Sequence, residues 1–175
     1  PRPCRAGRSR WSARALDLNA IGSGLHCIMR VTPPQHQVRM SVVELIFDQP
    51  DCMPSLETDE EQVTQILRNL ISNALKYTSQ GEVCVSATLS PDGETVTFAV
   101  RDTGIGIKLE DQVVIFEAFT QIEHNLQRRV KGSGLGLSLS QKLAELLQGE
   151  LTVESQPGQG STFRLSLPRR YHHPA

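Results

Sequence analysis

The sequence predicts an α/β fold, a two-layer sandwich in which helices pack on a largely antiparallel sheet. Two stretches show apolar alternation on both sides of a tight turn, which is typical of β-hairpins. A long stretch beginning at Asp59 carries apolar residues at offsets of three and four, which predicts an amphipathic helix. Neither glycine-rich stretch follows the first strand of a βαβ unit, which disfavours a doubly wound parallel sheet.

Length and composition are typical of one domain. The 175 residues can bury a full core without metal or disulfide staples. The 18 basic and 19 acidic side chains nearly cancel, so nothing favours nucleic acid or an anionic membrane as a partner. No apolar run approaches the ~18 to 20 residues that span a bilayer, and the 4 cysteines are expected to be reduced thiols. We expect a soluble, cytoplasmic chain, whose parent protein could still carry a membrane anchor.

The chain begins with a basic segment in which 5 arginines precede the first acidic residue, Asp17. A transit peptide, a basic docking arm and a linker all fit this composition. Weak periodicity favours a linker with at most a short helix near residues 11–21. We therefore assign residues 1–37 to a linker or arm, 38–168 to the domain and 169–175 to a tail.

The domain is expected to begin with a strand and a long helix. Residues 42–47 form a short apolar run bounded by turn residues, which predicts a strand. The helix starts at Asp59, because Thr58 offers a capping hydroxyl and the acids that follow suit the positive end of the helix dipole. It should end near residues 78–81.

Two hairpins and a second helix complete the predicted fold. Alternation over residues 83–89 and 96–100 flanks a turn at 90–93, which predicts the first hairpin. A second amphipathic helix covers residues 137–147 and is ended by Gly149. The last hairpin pairs residues near 151–153 with residues 163–167 around a turn at 156–160.

A polar stripe follows the first helix, formed by Gln65, Asn69, Asn73 and Lys76 at a 100° step per residue. Such stripes are usually solvated faces. Asn is nevertheless a poor helix former that is tolerated where a carboxamide is useful. Mg²⁺ takes one or two protein oxygens, so Asn69 and Asn73 could meet the metal while Lys76 meets a phosphate. Both interpretations fit the pattern.

Asp102 ends an alternating strand and is followed at once by a turn that holds Gly104, Gly106 and Ile107. An ordinary turn explains this pattern, because Gly supplies positive φ and Asp caps turns. A binding site explains it equally. The carboxylate would accept a hydrogen bond from an exocyclic amine, and the glycines would let the backbone approach a flat ring.

A second glycine cluster occupies residues 131–138, with the sequence Lys-Gly-Ser-Gly-Leu-Gly-Leu-Ser, directly before the second helix. Backbone N–H groups at a helix start form an anion site, so a phosphate chain is the expected occupant. No Gly-Lys-Ser/Thr ends the cluster, so it is not a Walker A loop. Residues 120–131 are polar and include Arg128, Arg129 and Lys131, which predicts either a mobile lid or a solvated loop.

Taken in order, these motifs closely resemble the catalytic ATP-binding domain of sensor histidine kinases. The wider group includes DNA gyrase, heat-shock chaperone ATPases and mismatch-repair ATPases. The resemblance covers residues 38–168 and rests on five motifs: Asn69-Leu70-x-x-Asn73-Ala74-x-Lys76-Tyr77, Asp102-x-Gly104-x-Gly106, Phe116-Glu117-x-Phe119, Gly132-x-Gly134-Leu135-Gly136-Leu137 and Gly160-Ser161-Thr162-Phe163.

The resemblance implies helices on one face of a mixed sheet, with ATP and Mg²⁺ as cofactors. Asn73 would coordinate Mg²⁺ with help from Asn69, and these two residues with Lys76 would form the catalytic set. Asp102 would bind the adenine amine with support from Thr162. Phe116 and Phe119 would anchor the lid. The implied ATP-binding residues are Asn73, Lys76, Tyr77, Asp102, Gly104, Gly106, Ile107, Phe119, Arg128, Lys131, Gly132, Ser133, Gly134, Leu135, Gly136, Leu137 and Thr162.

One departure from the hydrolysing relatives bears on the reaction. Those relatives place a Glu one turn before the metal-binding Asn to activate water, whereas this chain has Asn69, which cannot act as a general base. The resemblance therefore implies phosphoryl transfer to a histidine. No stretch of the chain resembles the helix that presents this acceptor. A separate dimerisation domain would supply the histidine, and the receiver domain of a response regulator would take the phosphate onward.

Other functions remain open at this point. The alternatives are an ATPase of the gyrase type, a serine-directed anti-sigma-factor kinase and a nucleotide-sensing module without catalysis. The Gly-x-Gly-Ser-Thr-Phe turn and Asn69 argue against the ATPase. The chain is expected to be a monomer, because the resemblance assigns dimerisation to the missing domain.

Overall fold

The structure is a computed structural model that describes residues 43–48, 56–120 and 134–170. The predicted arm at residues 1–37, its short helix and most of the predicted lid lie outside these ranges. The elements in chain order are β1 (Val43–Asp48), α1 (Glu60–Tyr77), β2 (Gly81–Leu89), β3 (Thr95–Asp102), α2 (Leu109–Gln112), α3 (Gly136–Leu146), β4 (Glu150–Gln156) and β5 (Gly160–Pro168).

The five strands form one mixed sheet in the order β1-β2-β3-β5-β4. Strand β1 lies parallel to β2, and the other neighbours are antiparallel. Both predicted hairpins are present, β2 with β3 and β4 with β5. Strand β3 therefore lies at the centre, with the two hairpins joined along β3 and β5. The predicted mixed, largely antiparallel sheet is confirmed.

The core lies between this sheet and the two long helices. In the register, Ala87, Phe98, Leu165 and Leu151 form one row across four strands, and all four are buried. The buried side of α1 covers the sheet with six apolar side chains, namely Val63, Ile66, Leu67, Leu70, Ile71 and Ala74. The neighbouring residues along each strand point to the opposite face. The helices thus pack on one face, as the resemblance implied.

The opposite face of the sheet carries small and polar side chains. One row consists of Thr88, Thr97, Ser166 and Glu150. The alternation between this row and the buried row follows from the period of two along a strand. Within the described ranges, no helix has both the length and the hydrophobicity needed to cross a bilayer.

The start of α1 corrects one detail of the sequence analysis. The N-cap is Asp59, whose Oδ1 accepts hydrogen bonds from the N–H of Glu61 at 3.0 Å and of Gln62 at 3.2 Å. The predicted cap, the hydroxyl of Thr58, is therefore wrong, because the carboxylate one residue later satisfies these donors. Asp and Thr are both good N-caps, so residue type alone could not separate them. The helix ends at Tyr77.

Three further segments refine the prediction. Helix α3 runs over Gly136–Leu146, one residue earlier at each end than predicted, and α2 was not predicted because four residues carry no readable period. At the end of the domain, the N–H of Arg169 donates to the carbonyl of Glu94 at 2.7 Å, and its carbonyl accepts from the N–H of Glu57 at 3.0 Å. The first residue of the predicted tail is thus tied to the fold.

Candidate functional site

Three segments that are far apart in the sequence meet at one end of the sheet. They are the polar stripe of α1, the loop that follows β3 and the start of α3. Along the stripe, Asn69, Asn73 and Lys76 are half-buried, whereas Gln65 is exposed. The N–H of Ile105 donates to the carbonyl of Tyr77 at 3.3 Å, which joins the loop to the end of α1. Gln65 belongs to the solvated part of the helix.

Asp102 is the last residue of β3 and is 4% exposed. Its Oδ1 accepts a hydrogen bond from the N–H of Gly104 at 2.8 Å, and its carboxylate also accepts from the N–H of Ser161. Burial raises the pKa of Asp102 above its ordinary value, and the two hydrogen bonds oppose that rise. A carboxylate has about four acceptor positions, so it can still accept from a ligand amine.

The residue beside Asp102 on β5 is Ser161, not the predicted Thr162. In the register, Thr162 pairs with Arg101, and side chains alternate between the faces of a strand. Ser161 is 6% exposed, and its side chain shares the face of the buried Phe163. The structure therefore brings Ser161 to the carboxylate and places the side chain of Thr162 on the opposite face. The alternation from Phe163 was the sequence signal that could have identified Ser161.

Ser155 and Gln112, which the sequence analysis did not single out, fix the loop after β3. The hydroxyl of Ser155 accepts from the N–H of Ile107 at 2.7 Å and donates to the carbonyl of Gly160 at 2.9 Å. The Nε2 of Gln112 donates to the carbonyls of Ile107 and Ser155, at 3.0 and 2.9 Å. These contacts join α2, the loop and the last hairpin. No local pattern in the sequence predicts these hydrogen bonds.

Gly104 and Gly106 are required by contacts with the protein itself. A Cβ on Gly104 would overlap the carbonyl oxygen of Tyr77 and lie 2.9 Å from the Oδ1 of Asp102. Gly106 has a φ of +69°, and a Cβ there would overlap the carbonyl oxygen of Gln156 and lie 2.7 Å from its carbon. These glycines were predicted to admit a flat ring. The structure adds a reason, since both let the loop pack against neighbouring backbone.

Asn69 connects the two long helices. Its Nδ2 donates to the Oγ of Ser140 on α3 at 2.8 Å. On the same side chain, Oδ1 faces Gly136, the first residue of α3, so closely that a Cβ on Gly136 would overlap it. Gly136 was predicted to wrap a phosphate chain, and the structure places it against Asn69. Ser140 was not predicted, although a Ser at a position of the apolar face of α3 was a readable signal.

Asn73 lies one turn further along α1 and is half-buried. Its carboxamide makes no hydrogen bond with any residue in the ranges that the structure describes, so its oxygen is available to a ligand. Those ranges also contain no group of three or more His, Cys, Asp or Glu side chains that could hold a metal ion. The oxygens of Asn69 and Asn73 fit Mg²⁺, which takes few protein ligands when phosphates and water supply the rest.

Lys76 and Tyr77 form a pair at the end of α1. The Nζ of Lys76 lies 4.8 Å from the centroid of the Tyr77 ring, within the range of a cation–π contact. Tyr77 is 37% exposed. The contact holds the ammonium group on the side of the helix that carries Asn69 and Asn73, where it can meet an anion.

The second glycine cluster is described only in part. Arg128, Lys131, Gly132 and Ser133 lie outside the described residues, while residues 134–137 are described. The N–H of Phe119 donates to the carbonyl of Gly134 at 3.1 Å. This bond joins Gly134, just before α3, to Phe119, which follows α2. Of the predicted anchors, Phe116 packs against the core, whereas Phe119 is 75% exposed.

Comparisons with known proteins agree with this geometry. Residues 58–171 match the family described as Histidine kinase-, DNA gyrase B-, and HSP90-like ATPase. The chain is 38% identical over 131 residues to the sensor histidine kinase RcsC of Salmonella typhimurium, covering 75% of this chain and 14% of that protein. It is 36% identical over 167 residues to the sensor histidine kinase GacS of Pseudomonas protegens, covering 91% and 18%. It thus spans less than a fifth of either relative.

Solved structures resemble the fold over most of the chain. Full-length ShkA in complex with AMPPNP has a TM-score of 0.70 and 28% identity, covering 93% of this chain and 33% of that one. The catalytic domain of the histidine kinase ThkA has a TM-score of 0.67, covering 89% of this chain and 96% of that one. Its identity is 22%, so this likeness concerns the fold alone.

The family match covers well over half of the chain and includes Asp102, the α1 stripe and the last hairpin. The resemblance stated from the sequence motifs is confirmed. The chain therefore belongs to the family of histidine kinase-, DNA gyrase B- and HSP90-like ATPases, and its described part is a histidine-kinase-type catalytic domain.

Proposed function

We propose that this domain binds ATP with Mg²⁺ and transfers the γ-phosphoryl group to a histidine on a separate dimerisation domain. The observation that carries the proposal is the buried carboxylate of Asp102 beside a helix that presents carboxamides and an ammonium group. A base, a metal and phosphates each have a matching set of groups at one end of the sheet.

Asp102 selects the base by hydrogen-bond polarity. An adenine presents an exocyclic amine, which donates to the carboxylate, whereas guanine presents a carbonyl oxygen at that position, which a carboxylate repels. Because Asp102 is 4% exposed, a base without the donor would leave a buried carboxylate without compensation. Ser161 and Gly104 hold the carboxylate in place through their N–H groups.

Asn73, Asn69 and Lys76 form the phosphate side of the proposed site. Bound Mg²⁺ would neutralise the charge that develops on the phosphate oxygens. The carboxamide oxygens of Asn73 and Asn69 would hold the metal there, and Lys76 would add a positive charge. By the resemblance, the remaining phosphate contacts come from Arg128, Lys131 and the glycine cluster, including Gly132 and Ser133.

The absence of a carboxylate at Asn69 supports transfer over hydrolysis. Within α1 the carboxylates are those of Glu60 and Glu61, both in the first turn. Asn69 lies eight positions after Glu61, about 12 Å along a helix, so Glu61 is too far away to activate a water at the phosphates. All 5 histidines of the chain lie outside the described residues, and none has the sequence context of an acceptor.

The proposed partner has an exposed apolar surface to meet. Leu135, Leu139 and Leu146 are 40, 46 and 63% exposed, and their spacing of four and seven places them on one side of α3. Phe119 is exposed next to the start of the same helix. Such side chains suit the apolar helices of a dimerisation domain. A receiver domain in the cytoplasm would then accept the phosphate from the histidine.

Nucleotide binding to single variants tests the site. We expect Asp102→Ala to abolish ATP binding measured by titration calorimetry, with the fold retained by circular dichroism. Asn73→Ala should remove the part of the affinity that depends on Mg²⁺. The matched control is Asp92→Ala, an exposed carboxylate in the turn between β2 and β3, which should bind as the wild type does. Unchanged affinity in both site variants would refute the assignment.

A second assay separates transfer from hydrolysis. The chain is mixed with labelled ATP and with histidine-containing dimerisation domains from related sensor kinases. Transfer gives a phosphoprotein that is labile to acid and stable to base. Steady release of phosphate without such a product would favour the ATPase alternative and contradict the proposed reaction.

A further inference from the structure

Ser140 is one of only two buried residues of helix α3 in the described structure, the other being Ala144. It is 2% exposed, and its hydroxyl lies at a position that otherwise suits an apolar side chain. Its partner is the Nδ2 of Asn69, 71 residues earlier in the chain, at 2.8 Å. A buried polar side chain whose partner belongs to the proposed metal site requires an explanation beyond packing.

In the structure this hydrogen bond engages the donor end of the Asn69 carboxamide. A carboxamide has one donor end and one acceptor end, and only the acceptor end can bind a cation. Ser140 accepts the hydrogen bond from the donor end, Nδ2. The acceptor, Oδ1, is then directed at Gly136, where α3 begins, and a Cβ on Gly136 would lie 3.0 Å from the Cγ of Asn69.

Gly136 completes the arrangement. Because it has no side chain, α3 can start directly against the carboxamide, where any Cβ would overlap Oδ1. The oxygen of Asn69 is thus held at the junction of α1 and the cluster that is proposed to wrap the phosphates. Asn73, by contrast, has no such partner among the described residues.

We propose that Ser140 is a positioning residue of the nucleotide site, which orients the carboxamide of Asn69 so that its oxygen faces the metal bound to the phosphates. This inference rests on the proposed function and adds a residue that lies outside the resemblance motifs. Without the hydroxyl, the carboxamide can turn over, and its NH₂ group would then face the cation and repel it.

The test compares ATP affinity with Mg²⁺ and with a chelator in its place, in the whole chain. The quantity of interest is the gain in affinity that Mg²⁺ produces. We expect Ser140→Ala to reduce this gain about fivefold, the equivalent of one net hydrogen bond, while the affinity without Mg²⁺ stays within about twofold of the wild type. Ser140→Cys conserves the volume but is a poor acceptor, and it should reduce the gain similarly.

The matched control is Ser166→Ala on β5, a half-buried residue on the sheet face opposite the helices, whose hydroxyl hydrogen-bonds with that of Thr97. It should leave the gain unchanged. Asn69→Ala should reduce the gain at least as much as Ser140→Ala, and the double variant should lose no more than Asn69→Ala alone. Additive losses would overturn the inference.

A second measurement requires no nucleotide. Urea unfolding of the wild type, both single variants and the double variant gives the coupling between Asn69 and Ser140, and a coupling near zero would refute the contact. The two failures can be told apart. If the wild type binds ATP equally with and without Mg²⁺, the proposed metal site is wrong. If the wild type shows the gain and both Ser140 variants retain it, only the inference is wrong.

Discussion

Gly106 offers a test of how tightly the loop after β3 is packed, through the substitution Gly106→Ala. Its φ of +69° lies in the left-handed region, which costs an L-residue about 1–2 kcal/mol. Ala also reduces the freedom of the unfolded chain, which returns about 0.4–1 kcal/mol. The conformational part of the loss of stability is therefore about 1 kcal/mol.

The contacts of the new methyl group add a second part. A Cβ at Gly106 would overlap the carbonyl oxygen of Gln156 and lie 3.1 Å from the Cα of Pro157. These are backbone atoms of the last hairpin, so no side chain can rotate away and the two segments must separate. Overpacking of this kind costs about 1–3 kcal/mol. We expect a total loss of about 3 kcal/mol from the two parts together.

Gly93 provides the matched control. Its φ is +75°, close to that of Gly106, yet a Cβ there would have no atom within 4 Å. Gly93→Ala should therefore lose only the conformational part, about 1 kcal/mol. Urea unfolding of the wild type and both variants, analysed with a common slope, measures both losses. Equal losses in the two variants would show that the packing of Gly106 against Gln156 contributes nothing, and would refute the reasoning.

Two further substitutions test buried polar groups. Burial raises the pKa of Asp102 above its ordinary value of 3.8, so the folded protein holds this proton more tightly than the unfolded chain does. Stability is therefore lost as the pH rises from below 3.8 through the raised pKa, because the carboxyl group ionises less readily in the folded state. Asp102→Asn removes the ionisable group, so the difference in urea midpoint between variant and wild type should shift in favour of the variant from pH 3 to pH 7. A shift in favour of the wild type would contradict this. Thr78 is 3% exposed, and its Oγ1 has no hydrogen-bond partner among the described residues. Thr78→Val should therefore be neutral or more stable by up to about 1 kcal/mol in thermal unfolding, and a loss above that size would mean that the hydroxyl has a partner.

The elements that the sequence predicted well are those whose signals are local. Helix α1 and both hairpins follow from periods of 3.6 and two, which need only a dozen residues to read. The positions of Asp102 and of the glycines at strand and helix ends were readable for the same reason. The family followed from the order of these motifs, and it is confirmed over residues 58–171.

The features that the sequence could not supply depend on which segments approach each other. Strand β1 lies parallel to β2 at the edge of the sheet. This arrangement is a matter of topology, and no residue of β1 predicts it. The contact between Asn69 and Ser140 joins residues 71 positions apart. Ser155 and Gln112 fix the loop after β3 only because the last hairpin comes close to it. For Ser161 the signal was present, since alternation from Phe163 separates it from Thr162.

The central place of β3 in the sheet has a consequence for the order in which the protein matures during synthesis. Asp102 belongs to a strand whose second neighbour, β5, follows about sixty residues later, since Arg101 pairs with Thr162. The N–H of Ser161 and the close approach of Gly160 to the backbone of Asp102 are therefore absent until the last hairpin has left the ribosome. A nascent chain that has already formed α1 and the first hairpin still lacks the contacts that β5 makes with Asp102. The proposed base-binding site is thus complete only after β5 has been synthesised.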